Sequence, residues 1–115
     1  MKAVGRAAIL AAVMLLNIGA APNWISVVEK TEGGHRIGNP DAKVKLVAFE
    51  SYTCHICAEF EEEAGPVLKL AYVQTGNVSY EVRHFVRDPI DMTAAMLSEC
   101  VPTEDFFNAH RALFL

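Results

Sequence analysis

Cys54 and Cys57 stand two residues apart in the stretch Tyr52-Thr53-Cys54-His55-Ile56-Cys57-Ala58-Glu59-Phe60. Two thiols at that spacing can close a disulfide and reopen it, passing two electrons to or from another thiol pair. Two other chemistries fit the same residue types. One is a structural staple, although so small a loop constrains the unfolded chain very little. The other is half of a zinc site. Zinc needs two further ligands, which Cys100 with His55, His84 or His110 could supply if the fold brought them together.

The elements that would position the pair are readable around it. Residues 43–49 form a mostly apolar run, as expected of a central strand covered on both faces. From Cys54 the pattern turns helical, with Phe60, Ala64, Val67, Leu68, Ala71 and Tyr72 recurring at three- and four-residue spacing. Glu59, Glu61, Glu62 and Glu63 fall in its first turns, solvated and favoured by the helix dipole. Gly65-Pro66 should kink this helix and Gly76-Asn77 should stop it. Residues 78–86 read as a second strand, with Val78, Tyr80, Val82 and His84 on one face. Strand, helix, strand makes a βαβ unit with parallel strands. Asp88-Pro89 opens a further helix with Met92, Ala95, Met96 and Leu97 as its apolar face. Val101-Pro102 breaks it. Thr103-Glu104-Asp105-Phe106 starts a third helix with a capping-box-like pattern. In that helix Phe106 and Phe107 are core residues; His110 there and His84 on the second strand pack or hydrogen-bond rather than ligate. Upstream, residues 24–28 alternate like an edge strand, and residues 31–41 read as a loop in which His35 is solvated. Glu50 reads as a partly exposed acid at a strand end, with a proton-relay role as the sharper alternative.

Residues 1–21 have the pattern of a secretory signal peptide. Lys2 and Arg6 precede an apolar run over residues 7–18, and Gly19-Ala20-Ala21 offers the small residues of a cleavage site. The run is too short to span a bilayer comfortably, so no stable membrane insertion is expected after cleavage. Removing the segment takes the formal charge from −4 to −6, since both cations go with it. That balance argues against nucleic acid and anionic lipid as partners. Export also places the cysteines in an oxidising environment. The apolar pattern of the last helix runs up to Leu115, so the sequence reads as C-terminally incomplete. Cys100 is the odd thiol, expected either to pair elsewhere or to stay buried and free.

From residue 24 to 115 the sequence resembles the N-terminal part of a periplasmic DsbA-type thiol:disulfide oxidoreductase of the thioredoxin superfamily. The residues that carry the likeness are Gly38-Asn39-Pro40-Asp41-Ala42, Ser51-Tyr52-Thr53-Cys54, the Cys54/Cys57 pair, Phe60-Glu61-Glu62 and the Phe106-Phe107-x-x-His110 helix. The resemblance implies an α/β, partial thioredoxin-like fold: an edge strand, a βαβ unit and the start of a helical insertion at residues 89–115, within a domain over residues 22–115. It implies Cys54 as nucleophile at a helix N-terminus, Cys57 as the resolving thiol, and His55 as a stabiliser of the Cys54 thiolate. The substrates would be unfolded or folding exported proteins that receive the disulfide, with a membrane partner restoring it; the alternatives are a disulfide isomerase or reductase using the same pair, and a metal-binding or chaperone-like holding module without redox catalysis. No metal or organic cofactor is implied beyond that disulfide. Two departures stand out: His55-Ile56 replaces the Pro-His common between the cysteines, and Ala48 stands where members commonly bury a carboxylate.

Overall fold

The computed structural model describes residues 21–114. The signal-peptide reading therefore lies, but for its last residue, outside the described residues. A four-stranded sheet organises the chain: β1 (Val28–Lys30), β2 (His35–Gly38), β3 (Val44–Glu50) and β4 (Val78–His84), in the order β1-β2-β4-β3. β3 and β4 are parallel, in register from Val44 opposite Val78 to Glu50 opposite His84. β2 joins the other edge of β4 antiparallel, and β1 follows antiparallel outside it.

Between β3 and β4 the chain crosses by helix α1 over residues 55–73. It is α-helical at His55–Glu59 and Gly65–Val67 and π-helical at Phe60–Ala64 and Leu68–Val73. Where a kink is expected at Gly65-Pro66, the helix instead widens, and Gly65 N–H bonds the carbonyl of Phe60 five residues back. A wider turn accommodates a proline that offers no donor. Gly76 ends the crossover with φ +78°, and a Cβ there would lie 2.6 Å from Trp24 Nε1, so glycine is required twice over. Helix α2 (Pro89–Ser98) starts where expected, with Asp88 capping Asp91 N–H at 2.9 Å. Helix α3 (Phe106–Leu113) follows a 3₁₀ turn at Thr103–Asp105 rather than a capping box, and no side chain caps either.

The core gathers Ile37, Val73, Tyr80, Val82, Phe106 and Phe107, with Ile25, Val28, Ala48, Leu68 and Val78 packed against it. Each fully buried large side chain of this set contributes about 1.5–3 kcal/mol. Several expectations are corrected here. Residues 24–26 form a 3₁₀ turn, and the edge strand starts at Val28. The stretch read as loop contains β2, whose pairing with both β1 and β4 overrides its weak local pattern. His35 is not solvated: it is 3% exposed and stacks on Phe106 at 3.8 Å between ring centroids.

Among the described residues β3 lies at one edge of the sheet. No other strand among the described residues pairs with its free edge, and Val44, Leu46, Val47 and Phe49 are exposed. Much of the expected apolar faces of α1 and α2 points outward, with Val67, Tyr72, Met92, Met96 and Leu97 exposed, whereas Leu68 and Ala95 pack inward as expected. The stripes that face inward are Glu61, Gly65 and Val73 on α1, and Asp91, Ala95 and Ser98 on α2. Glu61, expected to be solvated, is 1% exposed.

Candidate active site

β3 ends at Glu50, and the turn of residues 51–53 delivers Cys54 to the start of α1. Cys54 is the N-cap of that helix, with extended backbone; its N–H bonds Ser51 O at 3.0 Å and its carbonyl accepts Ala58 N–H at 3.1 Å. The first N–H groups of a helix have no partner within it, so they turn toward whatever precedes them. Here that is the Cys54 sulfur. Its pKa is lowered, first by the Cys57 backbone N–H, then by the Cys57 thiol, with smaller contributions from Ile56 N–H and the Arg87 guanidinium. Burial pushes Cys57 the opposite way, and the neighbouring Cys54 sulfur and Glu50 carboxylate add to the rise. The two thiols, both reduced in this structure, are thus unequal: one favours the thiolate and the other keeps its proton.

The turn ahead of Cys54 is pinned by the start of α2. Asp91 is 1% exposed, just beneath the surface. It accepts the Ser51 hydroxyl at 2.5 Å, Tyr52 N–H at 2.8 Å and Arg87 N–H at 3.0 Å. Burial pushes its carboxyl up, but these hydrogen bonds together hold it below the ordinary aspartate value. Asp88 accepts the Thr53 hydroxyl at 2.6 Å. Arg87 donates to Ser51 Oγ at 3.0 Å and to the Thr53 carbonyl at 2.6 Å.

Beneath Cys57 lies a buried polar cluster. Glu50 is 4% exposed, not the partly exposed acid that its place at a strand end suggests. Tyr80 Oη sits 2.7 Å from Glu50 Oε1 and 2.7 Å from Glu61 Oε1. A phenol carries one hydrogen, and burial pushes the Tyr80 hydroxyl far up, so it keeps that hydrogen. It can donate to only one of the two carboxyl groups at a time. His110 Nε2 lies 3.1 Å from Glu50 Oε2, its Nδ1 lies 2.8 Å from the Tyr52 hydroxyl, and Lys69 Nζ lies 3.3 Å from Glu61. Burial pushes the Tyr52 hydroxyl up to about 12. His110 is thus a hydrogen-bonding core residue, as expected.

On the other side of the pair is an open apolar groove of about 360 Å³, lined by Leu46, Ala48, Phe49, Ile56 and Phe60 and bordered by Glu50 and Cys57. A second hollow continues from Leu46 and Phe60 along α1 to Tyr72.

The sequence-predicted Cys54 and Cys57 are brought together at the mouth of this site. His55 is exposed on the first turn of α1. Among the described residues, the ligand-type side chains that cluster closely enough for a cation are Glu50, Glu61 and His110, and neither cysteine is among them. The contacts of this cluster are hydrogen bonds among its own members and to Tyr80, Tyr52 and Lys69. His84 is engaged elsewhere, with Ser98 and Glu99. Cys100 is exposed rather than buried, its thiol turned to the Met96 carbonyl. Sequence reasoning missed Arg87, Asp88, Asp91, Tyr80 and Glu61 as neighbours of the pair. The Asp88-Pro89 helix start was the one signal near them, and it announced a cap without revealing what else the cap touches.

A parallel strand ending in a turn, with two thiols on the first turn of the crossover helix and an antiparallel pair beyond, defines a thioredoxin-type site. The thioredoxin family profile matches residues 30–115, and the chain belongs to that family. Its structural neighbours are DsbA-type proteins. A Rickettsia conorii protein named as a protein-disulfide oxidoreductase is 32% identical over 80 residues, covering 69% of this chain and 29% of that protein. The crystal structure of a protein-disulfide isomerase from Novosphingobium aromaticivorans superposes with TM-score 0.69 at 52% identity, over 71% of this chain and 42% of that one. That of alpha-DsbA1 from Wolbachia pipientis superposes with TM-score 0.67 at 32% identity, over 81% and 47%. The chain thus spans less than half the length of each of these relatives.

Proposed function

We propose that the protein catalyses thiol–disulfide exchange through Cys54 and Cys57, as a disulfide donor to exported proteins. The observation that carries this is the inequality of the two thiols: Cys54 is lowered by the N–H groups at the start of α1 and Cys57 is raised by burial. A substrate thiolate attacks the Cys54 sulfur of the disulfide; the Cys54–Cys57 bond breaks and Cys57 leaves with its electron pair. Cys57, raised by burial, then takes a proton, and the Glu50 carboxyl group beside it is placed to relay it. A second substrate thiolate attacks the substrate sulfur of the mixed disulfide, and Cys54 leaves as the thiolate its surroundings favour. The substrate gains a disulfide and the pair ends reduced. A stable leaving thiolate makes the pair a stronger oxidant.

The remaining parts of the reading go with this activity. Residues 22–115 form the first part of a larger thioredoxin-like domain, with residues 89–115 opening its helical insertion, and the protein works in the periplasm after export by residues 1–21. No helix among the described residues is long and apolar enough to cross a membrane. A membrane-bound disulfide reoxidises the pair, no further cofactor takes part, and folding proteins meet the apolar groove. The test is oxidation of reduced insulin or a dithiol peptide by the full-length protein. Activity should fall to background in Cys54→Ser, and undiminished activity in that variant would sink the assignment. An isomerase is the second reading, favoured by the name of the 52%-identical solved relative. Recovery of activity from scrambled ribonuclease, without added oxidant, separates the two.

A further inference from the structure

Arg87 donates its side-chain hydrogens to three oxygens that carry no net charge: Ser51 Oγ at 3.0 Å, Thr53 O at 2.6 Å and, more weakly, Thr53 Oγ1 at 3.4 Å. Its contact with Asp91 runs through the backbone N–H, not the guanidinium. Asp88, the nearest acid of the same segment, is engaged by the Thr53 hydroxyl and by Asp91 N–H. No ion pair involves Arg87 among the described residues, whereas Arg36 and Arg83 each hold a glutamate. The Thr53 carbonyl it grips belongs to the peptide unit that enters Cys54. A fixed cation is therefore held one peptide from the Cys54 sulfur in no salt bridge, with Asp88 the acid that feels its charge, and the fork that holds it suits arginine and not lysine.

We propose that Arg87 is a positioning residue for the exchange reaction: it locks the turn that presents Cys54, and its unpaired charge stabilises the Cys54 thiolate. This rests on the oxidoreductase reading for its consequence, but not for its test. The groups around the sulfur are Cys57 and Ile56 of α1, Arg87 ahead of α2 with Asp88 beside it, and, across Cys57, Glu50 of β3. Of these, Arg87 alone is a permanent cation. The side that faces water makes its influence sensitive to salt, because charges near the surface are screened over about 8 Å at physiological ionic strength.

The experiment follows thiolate absorbance at 240 nm in the reduced full-length protein as pH is raised, at low and at high sodium chloride, for the parent, Arg87→Gln and Arg87→Lys. The parent midpoint for Cys54 should rise with salt. In Arg87→Gln it should start higher by about half a pH unit and lose most of its salt response. Arg87→Lys should recover the salt response but only part of the shift, since the charge returns without the fork. With glutathione, the Arg87→Gln disulfide should be about threefold less oxidising, the same half unit read as an equilibrium constant. An unchanged midpoint in Arg87→Gln overturns the proposal, and so does a raised midpoint that keeps the parent's salt response, which marks a role in the turn alone. Should the parent fail to oxidise insulin while these titrations behave as expected, the oxidoreductase reading fails and the role of Arg87 stands.

Discussion

The turn of residues 51–53 enters Cys54 from a polar side, and the groove beside Cys57 faces it from an apolar one. On the polar side nearly every group is tied down. Asp91 accepts three hydrogen bonds, Arg87 grips two residues of the turn, and Glu50, Tyr80, Glu61 and His110 form a closed network below. Among the described residues the groove side is open: Phe49 is 63% exposed and Ile56 58%. A fixed polar wall can set protonation and leave the chemistry unchanged from one substrate to the next. An unpinned apolar surface can accept many sequences, because it asks for area and not for matched donors. On the exchange reaction proposed above, reactivity belongs to the polar side and substrate contact to the groove, and each side can be broken separately.

The largest effect should come from Glu50→Gln. Glutamine keeps the size and an oxygen for Tyr80, but it cannot exchange a proton with Cys57. Proton transfer by a positioned group is worth about a hundredfold or more. The turnover of dithiol peptide should fall by roughly that factor near neutral pH and its pH profile should flatten. If the rate and profile match the parent, the cluster is merely structural. Next is Asp91→Ala, which removes a buried acceptor shared by three donors. The cost should be about 3 kcal/mol, lowering the melting midpoint by roughly 12–20 °C. The pH dependence carries a definite sign. The folded carboxyl lies below its ordinary 3.8. Its stabilisation is therefore complete above that value and is lost as pH falls through the lower, folded one. Asp91→Asn should lack that acid-side loss in thermal melts collected between pH 5 and pH 2.

The two sides also differ in how far they could be read before folding. The pair, its strand, its helix and the parallel β4 were legible because local patterns carry them: an apolar run, helical spacing, and breakers at Gly76 and Asp88-Pro89. The polar wall was not. Ser51 meets Asp91 across 40 residues and Glu50 meets His110 across 60. Nothing local marks Glu61 as buried among four acids, or His35 as a ring stacked on Phe106. Burial of a polar group depends on distant partners that satisfy it, and spacing within one element is silent about those. The apolar residues misled in the opposite direction. Phe49, Val67 and Met96 read as core, yet they face outward and form surface. β2 was invisible because its four residues are strand only through pairing on both edges.

The groove should answer to substrate and not to chemistry. Phe49→Ser with Ile56→Ser removes exposed apolar surface, so folding stability should change little, since neither side chain is buried. Oxidation of reduced, unfolded insulin should slow by about three- to tenfold, as expected of two lost apolar contacts. Exchange with glutathione, too small to use the groove, should stay at the parent rate. Equal slowing of both substrates would mean that the groove shapes the reacting sulfur, and the division between the sides would collapse.

The smallest effect belongs to His55, and it sharpens the comparison most. By its position between the cysteines it is the side chain first expected to hold the Cys54 thiolate. It is exposed on the first turn of α1, and the groups that lower Cys54 are the N–H groups of Cys57 and Ile56, the Cys57 thiol and Arg87. An exposed ring without a fixed partner is screened and spends its time in many rotamers, so its average pull on the sulfur is small. His55→Ala should therefore change the rate of peptide oxidation by less than about twofold at pH 7. Arg87→Gln, measured in the same assay, should exceed it. If the order is reversed, the thiolate is governed from within the Cys54–Cys57 loop, and the polar wall serves only to hold the turn in place.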